Sequence, residues 1–358
     1  MKLLSTIKSN PYLKYPLTAI GWVITLIILL LICLLLLEQY CRWNDKSFLE
    51  VLHPNWFADI TKFPNYDFKC QRNCDSYNMK VESGYKIMKQ KSVVIAGLCI
   101  NLGSKANTIK TRLEHLGGYF KDYRCVIFEN DSVDDTRKIL KQIQHENSKI
   151  ILMDCPDAIE CRYKRAKAID HGALSTKRME IMADYRNRLL EHIKQNYSNF
   201  DCIAMIDMDI KGPINIEGVA NSFGFYNDWD SISAYGIMGS AITFGQPYYY
   251  DLLAYSDGIH NYGERHSDAI PLFAKINKYD IGDDPYLIKS GFCGLAFYKM
   301  AIFRNPAITY TPQDGKYKCE HLILHENMIN HGHDKIYINP NMTVLVGTQG
   351  RADKLPLY

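Results

Sequence analysis

The sequence has no basic tract, no repeated CxxC pair, no HExxH motif and no internal repeat. Its 42 lysines and arginines are nearly balanced by 39 aspartates and glutamates and are spread along all 358 residues, so no nucleic-acid partner is indicated. The eleven cysteines are odd in number and irregularly spaced, which excludes a zinc ribbon and a dense disulfide scaffold. The lack of HExxH excludes the helical zinc-protease motif.

The composition is that of a globular protein, with 47% hydrophobic and 23% charged residues. It excludes a disordered, collagen-like or coiled-coil chain. The length is compatible with one or two domains.

A long uncharged segment, Pro16–Leu37, lies near the N-terminus. A helix needs about 20 apolar residues to cross a bilayer, so we predict a transmembrane helix over 16–37. A cleaved signal peptide is the alternative, but its apolar core usually has about 7–15 residues and ends at small residues. Because Lys2, Lys8 and Lys14 precede the segment, the positive-inside rule predicts a cytoplasmic tail over 1–15. We expect a type II membrane protein with an extracytosolic body, in the Golgi or endoplasmic reticulum lumen if the source is eukaryotic or viral.

Residues 38–90 contain prolines, aromatics and mixed charge without a sustained period. This predicts a stem that holds a catalytic domain, residues 91–358, away from the membrane.

In an extracytosolic location, cysteines could form disulfides and some asparagines could be glycosylated. Two cysteine pairs at short spacing could close small loops, or remain buried free thiols: Cys70 with Cys74, and Cys155 with Cys161. Three triplets match the N-glycosylation pattern, which also arises by chance, and they begin at Asn130, Asn196 and Asn341.

From Ser92 onwards, short apolar runs alternate with stretches of helical periodicity. The runs at 93–98, 125–128 and 150–153 enclose helical patterns at 108–116 and 133–143. This alternation predicts βαβ units, and hence an α/β fold with parallel strands. Ligands of such sheets bind beyond the carboxyl ends of the strands, so the polar residues that follow each strand are candidates for a site.

The apolar run 202–206 leads directly into Asp207 and Asp209. Two carboxylates two residues apart on extended backbone point the same way, and they must repel each other or share a cation. Oxygen ligands suit Mg²⁺ or Mn²⁺, which often bind through one or two carboxylates and substrate phosphates. A solvated acidic turn is the alternative.

The second predicted strand ends at Glu129, and Asp131 follows two residues later. A carboxylate here could accept hydrogen bonds from the base or ribose of a nucleoside. A plain acidic cap of the next helix is the alternative.

The helical pattern over 178–196 has Arg186 near the middle of its apolar face. A charge at this position needs a partner. The partner is either a core carboxylate or a diphosphate, which a guanidinium binds well.

Near the C-terminus, Glu320 begins a predicted helix that also contains His321 and His325. The two histidines are one helical turn apart and could share a metal, or could be satisfied by backbone groups. Glu320 is a candidate general base or a partner of an acceptor hydroxyl.

The order of these motifs resembles GT-A glycosyltransferases, and more narrowly the fungal capsule-associated mannosyltransferase family with its bacterial and viral relatives. The matching stretches cover about 91–346 and are 95–98, 108–114, 126–132, 185–188, 206–209, 229–230, 291–296, 319–321 and 336–340.

The resemblance implies a mixed, mainly parallel GT-A sheet and transfer of a sugar from a nucleotide-sugar donor to a glycan or glycoprotein acceptor. Its implied donor is GDP-mannose first and a UDP-sugar next, with Mn²⁺ or Mg²⁺ as cofactor. The implied site residues are Glu129 and Asp131 at the nucleoside, Arg186 and Asn187 along the nucleotide, Asp207 and Asp209 as the DxD element on cation and diphosphate, His325 at the metal, Gly294 and His321 on the acceptor side, and Glu320 with Arg186 in catalysis.

Two other functions compete with this interpretation. A nucleotidyltransferase should have a Gly-rich basic loop after its first strand, whereas 99–105 contains a single glycine. A non-catalytic, membrane-tethered carbohydrate-binding domain is the second, and the acidic residues at 207, 209 and 320 argue against it.

Overall fold

The structure is a computed structural model, and it describes residues 11–130, 132–154, 175–240, 243, 246–261 and 280–347. Its helices are α1 (Pro11–Trp43), α2 (Phe48–Leu52), α3 (Pro54–Phe57), α4 (Cys74–Met88), α5 (Ala106–Gly117), α6 (Thr136–Glu146), α7 (Thr176–Tyr197), α8 (Ile216–Gly224) and α9 (Glu320–Asn330). Its strands are β1 (Ser92–Cys99), β2 (Asp122–Glu129), β3 (Ile150–Asp154), β4 (Cys202–Ile206), β5 (Ser231–Met238), β6 (Tyr248–Tyr249), β7 (Tyr286–Leu287), β8 (Leu295–Lys299) and β9 (Ile336–Leu345).

The described strands form one sheet in the order β3-β2-β1-β4-β8-β5-β9-β7, with β6 paired to the end of β5. Strands β1 to β4 are mutually parallel, and β5 and β9 are parallel to each other. Strand β8 runs antiparallel between β4 and β5. The prediction of a mixed, mainly parallel sheet is confirmed, and the carboxyl ends of β1, β2 and β4 meet at one edge.

Helices cover both faces of this sheet. Val93 and Ile95 of β1 pack in a core with α5, α6 and α8, whereas Val94 and Ala96 pack in a second core with α7 and α9. Successive side chains of a strand point to opposite faces, so one fully buried strand supplies both cores. This explains why the sequence of β1 is apolar throughout.

Helix α1 contains the predicted membrane segment. Within the described part of the chain it is the one helix long and apolar enough to cross a bilayer, over Ala19–Cys41. A membrane anchor and a signal sequence both satisfy this test. The apolar stretch ends four residues beyond the predicted limit of Leu37.

The segment predicted as a spacer packs closely on its neighbours. Phe48 of α2 packs against Leu34 and Leu37 of α1. Helix α4 packs on α8, and a Cβ on Gly84 would lie 1.7 Å from the carbonyl oxygen of Ala220, so glycine permits this contact. The apolar faces of α2 and α4 are therefore buried against α1 and α8 respectively.

Cys70 and Cys74 form a disulfide at the start of α4, as predicted for one of the two pairs. Cys155 and Cys161 lie outside the described residues. Of the three glycosylation triplets, Asn341 and Asn130 are buried, with 1% and 8% of their surface exposed, whereas Asn196 is exposed. Accessibility therefore separates three triplets that the sequence pattern does not distinguish.

Candidate active site

The acidic pair follows β4 at the sheet edge where the parallel strands end. Asp207 is tied to the start of β8, since its backbone N–H donates to the carbonyl oxygen of Gly294 at 2.9 Å. Gly294 has a φ of +84°, a conformation that glycine adopts without strain. Met208 and Asp209 lie in a turn directly after the strand. The side chain of Asp207 is 24% exposed, so the pair borders on solvent.

The two carboxylates strongly perturb each other. Partial burial and the charge of Asp209 raise the pKa of Asp207 to about 8, although Arg186 opposes the rise. Burial also raises the pKa of Asp209. Like charges held together in this way are stabilised by a cation, which favours their ionised forms.

Arg186 of α7 forms an ion pair with the buried carboxylate of Glu320. Its Nε donates to Oε1 of Glu320 at 2.9 Å, and its Nη2 lies 3.7 Å from Oδ1 of Asp207. Burial disfavours the guanidinium charge, but Glu320, Tyr310 and Asp207 outweigh it and raise the pKa of Arg186. Its Nη1 has no hydrogen-bond partner among the described residues. Arg186 therefore has a core carboxylate as a partner, and one of its N–H-bearing atoms is not used by the described residues.

Glu320 begins α9 and is 7% exposed. Its Oε1 is bound to Arg186, whereas Oε2 has only a long contact, 3.9 Å, from the Sγ of Cys319. The ring of Phe292 contacts both neighbours: the guanidinium of Arg186 lies 5.1 Å from its centroid, and the ring of His321 stacks on it with the centroids 3.8 Å apart. The residues predicted at 186, 207, 294, 320 and 321 are thus brought together.

Both histidines of α9 are buried and neutral. Burial and the nearby Arg186 hold the pKa of His321 well below its usual value, and neither ring nitrogen has a hydrogen-bond partner among the described residues. Burial lowers the pKa of His325 to about 3. Ser290 Oγ donates its hydrogen to the carbonyl oxygen of Ala254 at 2.6 Å. The same Oγ lies 3.0 Å from Nδ1 of His325, so we assign the ring hydrogen to Nδ1, which donates to Ser290.

The prediction of His325 as a metal ligand gains no support from this geometry. No group of three or more His, Cys, Asp and Glu side chains suited to a metal ion occurs in the residues that the structure describes.

Two predicted nucleotide contacts are engaged within the protein. Glu129 is fully buried, and it accepts hydrogen bonds from the backbone N–H of Ser132 and from Arg137. Asn187 accepts from the backbone N–H of Tyr310 at 2.8 Å and donates to Thr311 Oγ1 at 2.9 Å. Both side chains hold loops in place. Asp131, the third predicted contact, lies outside the described residues.

Asp251 is a site residue that the sequence did not reveal. It lies just after β6, and its two oxygens accept hydrogen bonds from the backbone N–H groups of Cys293 and Ala254. Burial raises its pKa to about 6, and its charge contributes to the raised pKa of Asp207. We call Asp207, Asp251 and Glu320 the acidic half of the site. Asp251 reaches the site because β6 pairs with the end of β5 at this edge of the sheet, a tertiary contact that the local sequence does not indicate.

A basic half, made of Lys105, Arg112 and Lys211, lies near Asp209, whose pKa all three lower against the effect of burial. Arg112 is buried, and its Nη2 donates to the carbonyl oxygen of Gly212 at 3.2 Å. Little in the sequence indicates this basic half. Lys211 follows Asp209 by two residues, but Lys105 and Arg112 lie about 100 residues earlier in the chain.

Comparisons with known proteins give partial structural likenesses. No family model and no curated protein matches the chain. A mannosyltransferase from Pyrobaculum calidifontis, solved with GDP-Man and Mn²⁺, is 9% identical over 78% of this chain and 66% of its own, with a TM-score of 0.41. Glucosyl-3-phosphoglycerate synthase from Mycobacterium tuberculosis, solved with Mn²⁺ and UDP, is 12% identical over 75% of this chain and 76% of its own, with a TM-score of 0.40. S. aureus TarS is 13% identical over 71% and 59%, with a TM-score of 0.38. At such scores, the fold and the site of this chain rest on its own geometry.

Proposed function

We propose that this protein is a membrane-anchored glycosyltransferase that transfers a sugar from a nucleotide-sugar donor to a glycan acceptor. The main support is the cluster of Arg186, Asp207 and Glu320 beyond the carboxyl ends of β1 and β4. It combines a carboxylate pair for a cation, a guanidinium for a diphosphate and a carboxylate for a hydroxyl group. Ligands of parallel sheets bind at this edge.

The residues present fit a divalent cation. Asp207 and Asp209 offer oxygen ligands only, and burial together with the repulsion of Asp209 raises the pKa of Asp207, so a bound cation would favour its ionised form. Mg²⁺ and Mn²⁺ bind through one or two carboxylates when substrate phosphates and water complete the coordination. Such an ion acts as a Lewis acid that offsets the charge of a departing diphosphate.

The chain supplies further positive charge for the leaving group. Nη2 of Arg186 lies 3.7 Å from Oδ1 of Asp207, and its buried Nη1 has no hydrogen-bond partner among the described residues, so Arg186 can donate to a phosphate oxygen while it stays paired with Glu320. Lys105 and Lys211 lie near Asp209 and lower its pKa. Fixed charges of this kind stabilise the diphosphate as it separates from the sugar.

Glu320 is assigned to the acceptor. Its Oε2 is free to accept a hydrogen bond from a sugar hydroxyl, because Arg186 occupies Oε1 alone. In an inverting enzyme Glu320 would take the hydroxyl proton, and in a retaining enzyme it would position acceptor or donor. Gly294 and His321 would border the acceptor, and Asp131 the nucleoside. GDP-mannose is the first donor to test and UDP-sugars are the next.

Helix α1 is proposed as the anchor. Its apolar stretch, Ala19–Cys41, is long enough to cross a bilayer. Lysines at 2, 8 and 14 favour a cytoplasmic N-terminus, which places the body outside the cytosol.

The test measures donor binding and donor hydrolysis by the full-length protein in detergent, with GDP-mannose and then UDP-sugars, with and without Mn²⁺. One donor should raise the melting temperature only when Mn²⁺ is present. Asp209→Asn should weaken this Mn²⁺-dependent binding by at least about tenfold, since loss of even an outer-shell partner of a metal ligand costs about 10–100-fold in metal affinity. Asp228→Asn is the matched control, because Asp228 is exposed and outside the site.

Binding of a donor with equal affinity in the presence of a chelator would contradict the cation site. Metal-dependent binding without any hydrolysis or transfer would favour the carbohydrate-binding alternative. A folded protein that ignores every donor would refute the proposal.

A further inference from the structure

The end of the membrane helix lies directly beside the candidate active site. Asp45 is two residues beyond the end of α1 at Trp43, and its carboxylate contacts Nζ of Lys105 at 2.5 Å and Nζ of Lys211 at 3.1 Å. The side chain of Lys211 is 7% exposed, so this is a contact with the body of the protein and not with a flexible surface arm. Lys211 follows Asp209 by two residues.

A second residue of the body, Tyr248, interacts electrostatically with α1. Tyr248 of β6 lies three residues before Asp251 of the acidic half. Burial raises the pKa of Tyr248, and the carboxylate of Glu38 in α1 is near enough to raise it further. Glu38 precedes Cys41, the last residue of the apolar stretch, by three residues, or about 4.5 Å along the helix axis.

The chain that follows Asp45, which contains α2 and α3, does not act as a spacer between α1 and the folded body. Helix α2 packs back on α1, since Phe48 forms a small apolar cluster with Cys41 against which Leu34, Leu37 and Val51 pack. Leu34 and Leu37 lie inside the apolar stretch. Phe57, at the end of α3, packs against the main core beside Gly212, where a glycine Cβ would lie 2.9 Å from its ring. Both ends of this connection are therefore fixed.

These contacts set the height of the site above the bilayer. Two residues of extended chain span at most about 7 Å, so the backbone of Asp45 lies within that distance of the end of α1. The Nζ atoms of Lys105 and Lys211 lie 2.5 Å and 3.1 Å from the Asp45 carboxylate. The head-group layer on each side of the hydrocarbon core is about 5–8 Å thick. Lys105 and Lys211 therefore lie close to the level of the lipid head groups.

Resting on the proposed function, we infer that the acceptor is a glycolipid, whose head-group sugar hydroxyl meets Glu320 while its acyl chains stay in the membrane. A soluble glycoprotein would have to enter between the bilayer and the site. A glycolipid needs no such movement, because its hydroxyl groups already lie at this height.

The experiment uses the full-length protein in phosphatidylcholine vesicles that contain a mannosyl diacylglycerol, with a radiolabelled donor and Mn²⁺. The same head group without its lipid, mannosyl glycerol, is supplied to a parallel sample in solution. Labelled sugar should appear in the organic extract of the vesicles and exceed the label on mannosyl glycerol by about tenfold, since anchoring in one membrane raises the effective concentration of the acceptor.

A variant with about ten Gly and Ser residues inserted between Trp43 and Asn44 should lose most lipid labelling, because a linker of about 17 Å releases the site from the head groups. It changes no site residue, so donor hydrolysis should remain and report a folded protein. The same insertion after Gly315 is the control, since a Cβ there would meet no atom within 4 Å.

Asp45→Lys is a second variant, which should reduce lipid labelling by repelling Lys105 and Lys211. Its charge-matched control is Asp59→Lys, because Asp59 lies in the same segment and pairs locally with Lys62.

Donor hydrolysis without lipid labelling would overturn the inference and leave the transferase proposal intact, as would lipid labelling that survives the insertion unchanged. A protein that neither binds nor hydrolyses any donor would overturn the proposed function, and the acceptor inference with it.

Discussion

Replacement of Arg186 by leucine tests the central contact of the site. Arg186 is 3% exposed, and its Nε lies 2.9 Å from Glu320, which is 7% exposed. The substitution removes the only described ion-pair partner of Glu320 other than His321, whose ring is neutral. Glu320 would then remain as a buried carboxylate without a cation.

The expected cost can be estimated from the geometry. Two unit charges about 4 Å apart interact by about 4 kcal/mol at an effective dielectric constant of 20. Removal of one partner from a buried ion pair costs about 3–5 kcal/mol, because the remaining charge is left desolvated. For a domain of this size, about 3 kcal/mol corresponds to a fall in melting temperature of about 6–12 °C.

The assay compares melting temperatures of wild type, Arg186→Leu, Glu320→Leu and the double variant in detergent at neutral pH. The double variant should regain most of the lost stability, because replacing a whole buried pair by apolar side chains is often neutral or stabilising. Donor binding should stay weak in every variant that lacks Arg186. If Arg186→Leu is as stable as wild type, or if the two single effects simply add, the pair is not a coupled buried ion pair and our reasoning is wrong.

Two further predictions follow from the charges and exposures of single residues. The pKa of Asp207 in the metal-free protein is about 8, above its usual value of 3.8, so the contribution of Asp207 to stability is full below about pH 4 and is lost as the pH rises towards 8. The melting temperature of the metal-free protein should therefore fall between about pH 4 and pH 8, and Mn²⁺ should restore it near pH 8. If the same fall occurs in Asp207→Asn, the assignment is wrong. Asn196 should carry a glycan when the chain is produced in a eukaryotic secretory pathway, because it is exposed whereas Asn341 is 1% exposed; an endoglycosidase-dependent gel shift should vanish in Asn196→Gln, and a shift that persists would refute the choice.

The sequence predicts those parts of the site that lie next to strand ends. Asp207 could be identified because an apolar run of five residues precedes it, and a strand buried on both faces is apolar throughout. Arg186 could be identified as unusual because its apolar neighbours repeat at helical spacing. Local pattern was enough in both cases.

The partners of these residues could not be predicted, because they are set by the tertiary fold. Glu320 is 134 residues from Arg186 in the chain, and Asp45 is 166 residues from Lys211. The reversal of β8 and the return of β6, which bring Gly294 and Asp251 to the site, leave no periodic signal in the sequence. The stem expected over 38–90 was inferred from its irregular composition. Composition does not show on which surface a helix packs, so the packing of α4 on α8 could not be predicted.

The distribution of charge around Asp209 indicates how cation and donor depend on each other. The acidic half contains three carboxylates and Arg186 alone to balance them, and burial, with a smaller contribution from neighbouring carboxylates, raises the pKa values of Asp207 and Asp251. The basic half has the opposite excess, which Asp45 only partly offsets. A divalent cation at the acidic half and a diphosphate that reaches the basic half each correct one imbalance. Either charge alone would leave the other half uncompensated, so cation and nucleotide sugar should bind with positive cooperativity.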